Sequence, residues 1–242
     1  MTPGQPISTN SVSTNLLRAI KATPVRPAKW DGSFTMGLTA TAGNVNSVLT
    51  TAKIVAQKKG TENQWNLGAD GVYGQADSLR TAASAHGYAQ LNHVFEDNTW
   101  YGYGREDMLH DEIADVAYRI TSGAGAGYYF VKNKETTFSG EAGPALQMEQ
   151  LDDESHNYPS ARVAEILEHK IDEHARVWEN IEVLPPLTIP DAFLVNAEVG
   201  LETPLTHKLS LQTYVQDNFA NQPAPGSKNN DLKLVSGLVF KF

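Results

Sequence analysis

From Trp30 to the last residue, apolar side chains recur at every second position, in segments about as long as one strand passage through a bilayer. In residues 30–41 the even positions hold Trp30, Gly32, Phe34, Met36, Leu38 and Ala40, and the odd ones Asp31, Ser33, Thr35, Gly37, Thr39 and Thr41. Successive side chains of an extended strand point to opposite faces, so this pattern sets one face in an apolar medium and the other in water. Residues 64–73 repeat it, with Trp65, Leu67, Ala69, Gly71 and Tyr73 against Gln64, Asn66, Gly68 and Asp70. So do residues 137–149 (Phe138, Ala142, Leu146 and Met148 against Thr137, Ser139, Glu141, Gln147 and Glu149) and residues 193–202 (Phe193, Val195, Ala197, Val199 and Leu201 against Asn196, Glu198 and Glu202). A membrane-crossing helix needs about 18 apolar residues in a row. The longest candidate, residues 120–131 (ITSGAGAGYYFV), is too short and too rich in glycine. A membrane-crossing strand needs only about 9–11 residues, and alternate ones can be polar.

A soluble antiparallel sandwich also alternates; three features favour a barrel in lipid. The first is the rhythm of connections: after the first, short polar turns and longer loops are expected to alternate, as between the two sides of an outer membrane. On this reading residues 75–80, 108–115, 151–160, 185–191 and 218–230 are the longer loops. The second is tryptophan. Trp30, Trp65 and Trp100 stand 35 residues apart, each at or near a strand start, and three indoles at one level read as an interfacial girdle. The third is the C-terminus, LKLVSGLVFKF, where Leu232, Leu234, Leu238, Phe240 and Phe242 share a face and Ser236 is the exception. Gly237, Phe240 and Phe242 resemble the sorting signal of outer-membrane barrels, although Val235 stands where that signal has a polar residue.

Composition narrows the function classes. The absence of cysteine excludes disulfide scaffolds, cysteine nucleophiles and thiolate metal sites. A net charge of −9 argues against nucleic acid as a partner. Residues 1–29, rich in Ser, Thr, Asn and Pro, are expected to form a tail or a short periplasmic segment, with a short helix at 13–22 as the alternative. They hold no apolar core of a secretory signal, so an exported chain is expected to have lost one.

Residues 161–184 fit least well. Val163, Ile166, Leu167, Ile171, His174, Val177, Trp178, Ile181 and Leu184 fall at helical spacings. As a hairpin turning near Asp172, the stretch sets Glu165 opposite Glu179 on what is otherwise the lipid side, a like-charge pairing that disfavours lipid there. That wall is therefore a candidate interface with a partner or a second copy. Two strands give a barrel of twelve and a helix a barrel of ten, and both counts are even.

The chain is similar to the DUF481 family through three stretches. These are the opening WDGSFTMGLTATAGNVNS, the run from Asp111 to Glu149 with its YRITSGAGAGY and EAGP motifs, and the end with RVWENIEVLPPLT and the terminal Phe242. The likeness extends over about residues 30–242. Members are described as salt-induced outer-membrane proteins. The resemblance implies an all-β antiparallel outer-membrane barrel, two strands rather than a helix across 161–184, and no established activity or catalytic residues.

The expected architecture is thus a tail over 1–29 and a twelve-stranded transmembrane barrel over 30–242. By alternation Arg119, Glu141 and Glu149, and with less support Arg105, face the lumen, as a selectivity ring or as mutually paired filling. Arg119 and Glu141 are expected to pair. His169 and His174, five apart, are a weak metal pair; Asp152, Asp153, Glu154 and His156 make an acidic loop without calcium-ligand spacing; no metal or cofactor is assigned. Ser84 and His86 share a face but lack a hydrolase motif, so no enzyme is assigned. The expected function is a non-enzymatic outer-membrane barrel, structural or a narrow passive pore. Its alternatives are a docking module for a partner protein or homo-oligomer, and a membrane-boundary hydrolase. The expected partners are the lipid bilayer and, during biogenesis, the barrel-assembly machinery.

Overall fold

A computed structural model describes residues 29–41, 47–151, 154–223 and 227–242. Except for Lys29, the tail expected over 1–29 lies outside them, as do Asp152 and Asp153. Twelve strands follow in chain order: β1 (Trp30–Thr41), β2 (Ser47–Lys59), β3 (Asn63–Ala76), β4 (Leu79–Val94), β5 (Trp100–Asp111), β6 (Val116–Lys132), β7 (Thr136–Leu151), β8 (Glu154–Lys170), β9 (Arg176–Leu184), β10 (Leu194–Pro204), β11 (Leu209–Ala220) and β12 (Asn230–Lys241). Each pairs antiparallel with its neighbours in sequence, and β1 pairs with β12 to close the barrel. The seam is laddered over Ser33–Met36 and Leu238–Lys241, toward the end that carries the termini, and this contact closes the sheet as a membrane-crossing barrel requires.

The hairpin reading of 161–184 holds, with its turn at residues 171–175 braced by the His174 amide donating to Asp172 Oδ1 at 2.6 Å. The helical spacing there arises because the apolar residues serve two faces. Val163, Leu167, Val177 and Ile181 point outward, while Ile166, Trp178 and Leu184 point into the lumen. The expected register is corrected by two residues. Glu165 lies opposite Ile181 and Glu179 opposite Leu167, so the two acids share the outer face but are not directly paired. Both stand level with the rings at the terminal end of the barrel, since Glu165 follows Gly140 and Tyr128 across the sheet and Glu179 follows Leu167 and Phe138.

The loop rhythm is corrected as well. The end that carries Trp30 and Phe242 has turns at residues 60–62, 95–99, 133–135, 171–175 and 205–208. At the other end only the connections at 185–193 and 221–229 are long. The expected loop at 75–80 is a two-residue turn, with Asp77 and Ser78 both in the left-handed region at φ 45° and 67°, the geometry that matches the twist of a tight hairpin. Most of the acidic stretch 151–160 is strand β8. Polar residues there mark where the chain leaves lipid, but the ladder continues past that level.

The two walls of the barrel differ outside. Over β10–β12 and β1 the outer face is bulky: Val199, Leu201, Leu211, Leu232, Leu234, Leu238, Phe240, Met36 and Leu38 are all exposed. Over β3–β6 small residues (Ala69, Gly71, Ala85, Gly87, Ala89, Gly104, Ser122 and Ala124) are interspersed with Leu67, Leu91, Met108 and Ile120, and Glu106 stands among them. At the β1–β12 seam a Cβ on Gly237 would lie 2.5 Å from the Met36 carbonyl oxygen, so the backbones there approach as only glycine allows.

Candidate functional site: the barrel lumen

Strand pleating sends every second side chain inward, and the lumen receives most of the polar ones. Arg162 on β8 is nearly fully buried between two carboxylates. Its Nη1 donates to Glu141 Oε2 at 2.7 Å and its Nε to Glu182 Oε1 at 2.5 Å, while its guanidinium lies 4.9 Å from the Tyr103 ring centroid. Glu141 also accepts from Tyr101 Oη at 2.9 Å and Gln90 Nε2 at 2.8 Å. Arg105 grips Asp107 through Nε and Nη2, at 2.6 and 2.7 Å, and donates from Nη1 to Gln90 Oε1 at 3.0 Å. His86 lies between Asp70 (3.0 Å) and Asp107 (3.3 Å).

A second group of pairs crosses or lines the rest of the lumen. Lys53 on β2 reaches Glu198 on β10 at 3.1 Å, and the Trp178 indole donates to Glu198 at 2.8 Å. Arg119 meets Glu149 at 2.5 Å, and the Tyr158 hydroxyl donates to the same carboxylate. Glu202 is held by Arg176 at 2.7 Å and by Lys241.

These networks leave two cavities. One, of about 190 Å³, lies toward the end with the long connections and is lined by Asp111, Ala114, Lys228 and Asn229 among others. The other, of about 330 Å³, lies toward the termini and is lined by Gln57, Lys59, Gln64 and Thr137 among others. Asp70, His86, Arg105, Glu182, Asn196, Gln216 and Asn218, from β3–β5 and β9–β11, line both, so the cavities adjoin at this partial ring of side chains.

Each residue singled out from sequence now has a place. Arg105, Arg119, Glu141 and Glu149 all point inward. The expected partnership of Arg119 with Glu141 is replaced, because Arg119 stands opposite Glu149 in register and Glu141 is taken by Arg162. Sequence reading missed Arg162, Glu182 and Lys53. The first two sit in the stretch of mixed period, where no face could be assigned; Lys53 lies in a strand whose alternation was available. Ser84 and His86 do face inward, but both imidazole nitrogens of His86 are engaged by carboxylates. His169 bonds Thr136 at 2.9 Å while His174 sits exposed in the turn; among the described residues no three potential ligands cluster for a metal.

Trp30, Trp65 and Trp100 point outward at the terminal end, 41–49% exposed. Trp100 contacts Tyr128, which contacts Phe130, which contacts Phe138, with centroids 4.8, 5.3 and 5.1 Å apart. Lys58 stands over the Trp30 ring at 5.9 Å. Phe240 and Phe242 are outward and exposed at the same end, and the Phe242 ring covers Gly32.

The profile of the family described as "Protein of unknown function, DUF481" matches residues 34–242. The chain belongs to the DUF481 family. No curated protein matches it in sequence. Among solved structures, the NanC porin aligns with a TM-score of 0.52 at 8% identity, over 88% of this chain and 98% of that one. An outer-membrane channel from Pseudomonas putida F1 aligns with a TM-score of 0.50 at 12% identity, over 90% and 96%. At these identities the likeness is one of fold. This DUF481 chain therefore has a porin-like barrel fold, and its apolar outer wall and the run of aromatics at one end are those of a barrel seated in a membrane.

Proposed function

We propose that this DUF481 barrel is a non-enzymatic, narrow passive pore. The observation that carries the reading is the pair of cavities, one toward each end, meeting at a ring of polar side chains that belongs to both. A barrel of purely structural purpose has no need of polar space along its axis, and a twelve-stranded lumen is wide enough to leave some unless side chains fill it. The conjugate of Arg105, Asp107, His86 and Asp70 on one side of the ring fixes its width through mutual contacts. The protein reconstituted in a planar bilayer is expected to give discrete conductance steps. A sealed bilayer at concentrations where insertion is verified by protease protection removes the pore.

A second reading, a docking module, has its own support. Glu106 faces outward midway between the Tyr128 and Tyr118 levels, opposite Ala89 and Ser122, with no ion-pair or hydrogen-bond partner among the described residues. A carboxylate at that depth is better accommodated against protein than against acyl chains. Crosslinking from cysteine introduced at Ala89 or Ala124 tests it: no crosslinked species in native membranes removes this reading.

A further inference from the structure

Most inward charges are engaged with wall neighbours, whereas a subset of the inward amides is not. Along the two cavities the charged side chains are engaged with wall neighbours: Lys53 with Glu198, Arg105 with Asp107, Arg119 with Glu149, Arg162 with Glu141 and Glu182, Lys233 with Asp231, and His86 with two aspartates. The exceptions are Asp111, whose carboxylate caps the turn after β5 through the Ile113 and Ala114 amides, Glu165, which stands on the outer face, and Lys59 and Lys228, both exposed near the two ends. At the ring Asp70, Asp107, Glu141 and Glu182 meet Arg105, Arg162 and His86 at close range, so most of the charge is compensated and only a small negative excess is left to act on a free ion.

The free hydrogen-bonding capacity belongs to uncharged amides. Gln57, Asn66, Asn180, Gln216 and Asn218 line the cavities, and none of their side chains has a partner among the described residues. They are ordered along the path. Gln57 and Asn66 stand opposite each other on β2 and β3 in the cavity nearer the termini. Asn180 and Gln216 flank Glu198 in one row across β9–β11, and Asn218 stands beside Asn196 in the next row. Gln216 and Asn218 belong to the shared ring, so the row continues through the narrow point into the other cavity.

Each free amide offers two N–H donors and a carbonyl acceptor without a charge. A hydroxyl is donor and acceptor at once, so it can exchange between such amides at low cost. Conduction asks for several weak sites in series and no strong one. We propose that the preferred cargo of the pore is a small, uncharged, polyhydroxylated solute, handed along Gln57, Asn66, Asn180, Gln216 and Asn218. This rests on the pore reading above, and names its substrate class.

The test is swelling of proteoliposomes with three probes of like size and different charge: glucose, gluconate and glucosamine. Glucose is expected to enter severalfold faster than either charged analogue, and a potassium chloride gradient in planar bilayers is expected to give only a small, cation-favouring reversal potential. The double variant Gln216→Met/Asn218→Leu keeps the side-chain volumes and removes the amides. It should lose most of the preference for glucose, read as the ratio of glucose to gluconate entry in the same vesicles. Asn180→Leu, in the wider cavity, supplies an independent variant with the same expected direction if the double variant fails to insert. Entry of gluconate or glucosamine as fast as glucose, or a preference unchanged in both variants, overturns the assignment and leaves the pore standing. No swelling with any probe and no conductance overturns the pore reading and the assignment together.

Discussion

Replacing Arg162 by Met takes a cation from between two carboxylates and leaves Glu141, 1% exposed, and Glu182, 16% exposed, facing the space it occupied. Breaking a buried pair by removing one partner costs about 3–5 kcal/mol, because the remaining charge is left uncompensated. Here two carboxylates are left, which raises the cost, but the adjoining cavities admit water, which lowers it. Glu141 also retains the Tyr101 hydroxyl and the Gln90 amide. The expected loss is therefore near the lower end, about 3 kcal/mol, or roughly a hundredfold in the unfolding equilibrium. Urea titration of the barrel in lipid vesicles, followed by tryptophan fluorescence and by heat-modifiable gel migration, measures it. The triple variant Arg162→Met/Glu141→Gln/Glu182→Gln should recover most of the loss, since uncharged amides leave no buried charge behind. A loss below about 0.5 kcal/mol for Arg162→Met, the scale of an exposed ion pair, refutes the reasoning. So does a triple variant no more stable than the single one.

Three further outcomes are expected. Deleting Phe242 should lower insertion into the outer membrane far more than Phe242→Tyr does, as judged by the fraction showing heat-modifiable migration; equal insertion of deletion and parent removes the sorting role. Gly237→Ala should slow closure and lower stability by roughly 1–3 kcal/mol, because its Cβ meets the Met36 carbonyl at 2.5 Å; an unchanged urea midpoint contradicts the tight seam. Glu106→Leu should stabilise the isolated barrel by roughly 1–2 kcal/mol, since an acid at the bilayer midplane costs less than the 2–4 kcal/mol of Arg or Lys; a destabilised variant indicates that the carboxylate is held by a partner.

The barrel was legible because lipid enforces alternation on every strand that crosses it. Alternation also assigned Arg119, Glu141 and Glu149 to the lumen. It could not say which meets which, because partners across a barrel are set by register, and register is not visible in one strand alone. Glu141 meets Arg162, 21 residues away on the next strand, and Lys53 meets Glu198, 145 residues away. Loop lengths failed for a different reason. Polar composition reports contact with water, and Ser155, His156 and Asn157 stand in water while still laddered to β7.

The Lys53–Glu198 contact joins β2 to β10, passing over the β1–β12 seam without touching it. Neither partner can find the other until the first and last strands have met in the right register. A slip of one residue in that last pairing would turn the inner face outward, and a slip of two would keep the faces but part the ammonium from the carboxylate. The bridge thus works as a latch that engages only when the cylinder has been rolled up correctly, and a barrel zipped in a wrong frame lacks it. Errors of assembly would be left with a loose, hydrated core and a shorter lifetime, so the polar interior edits the fold as well as filling it.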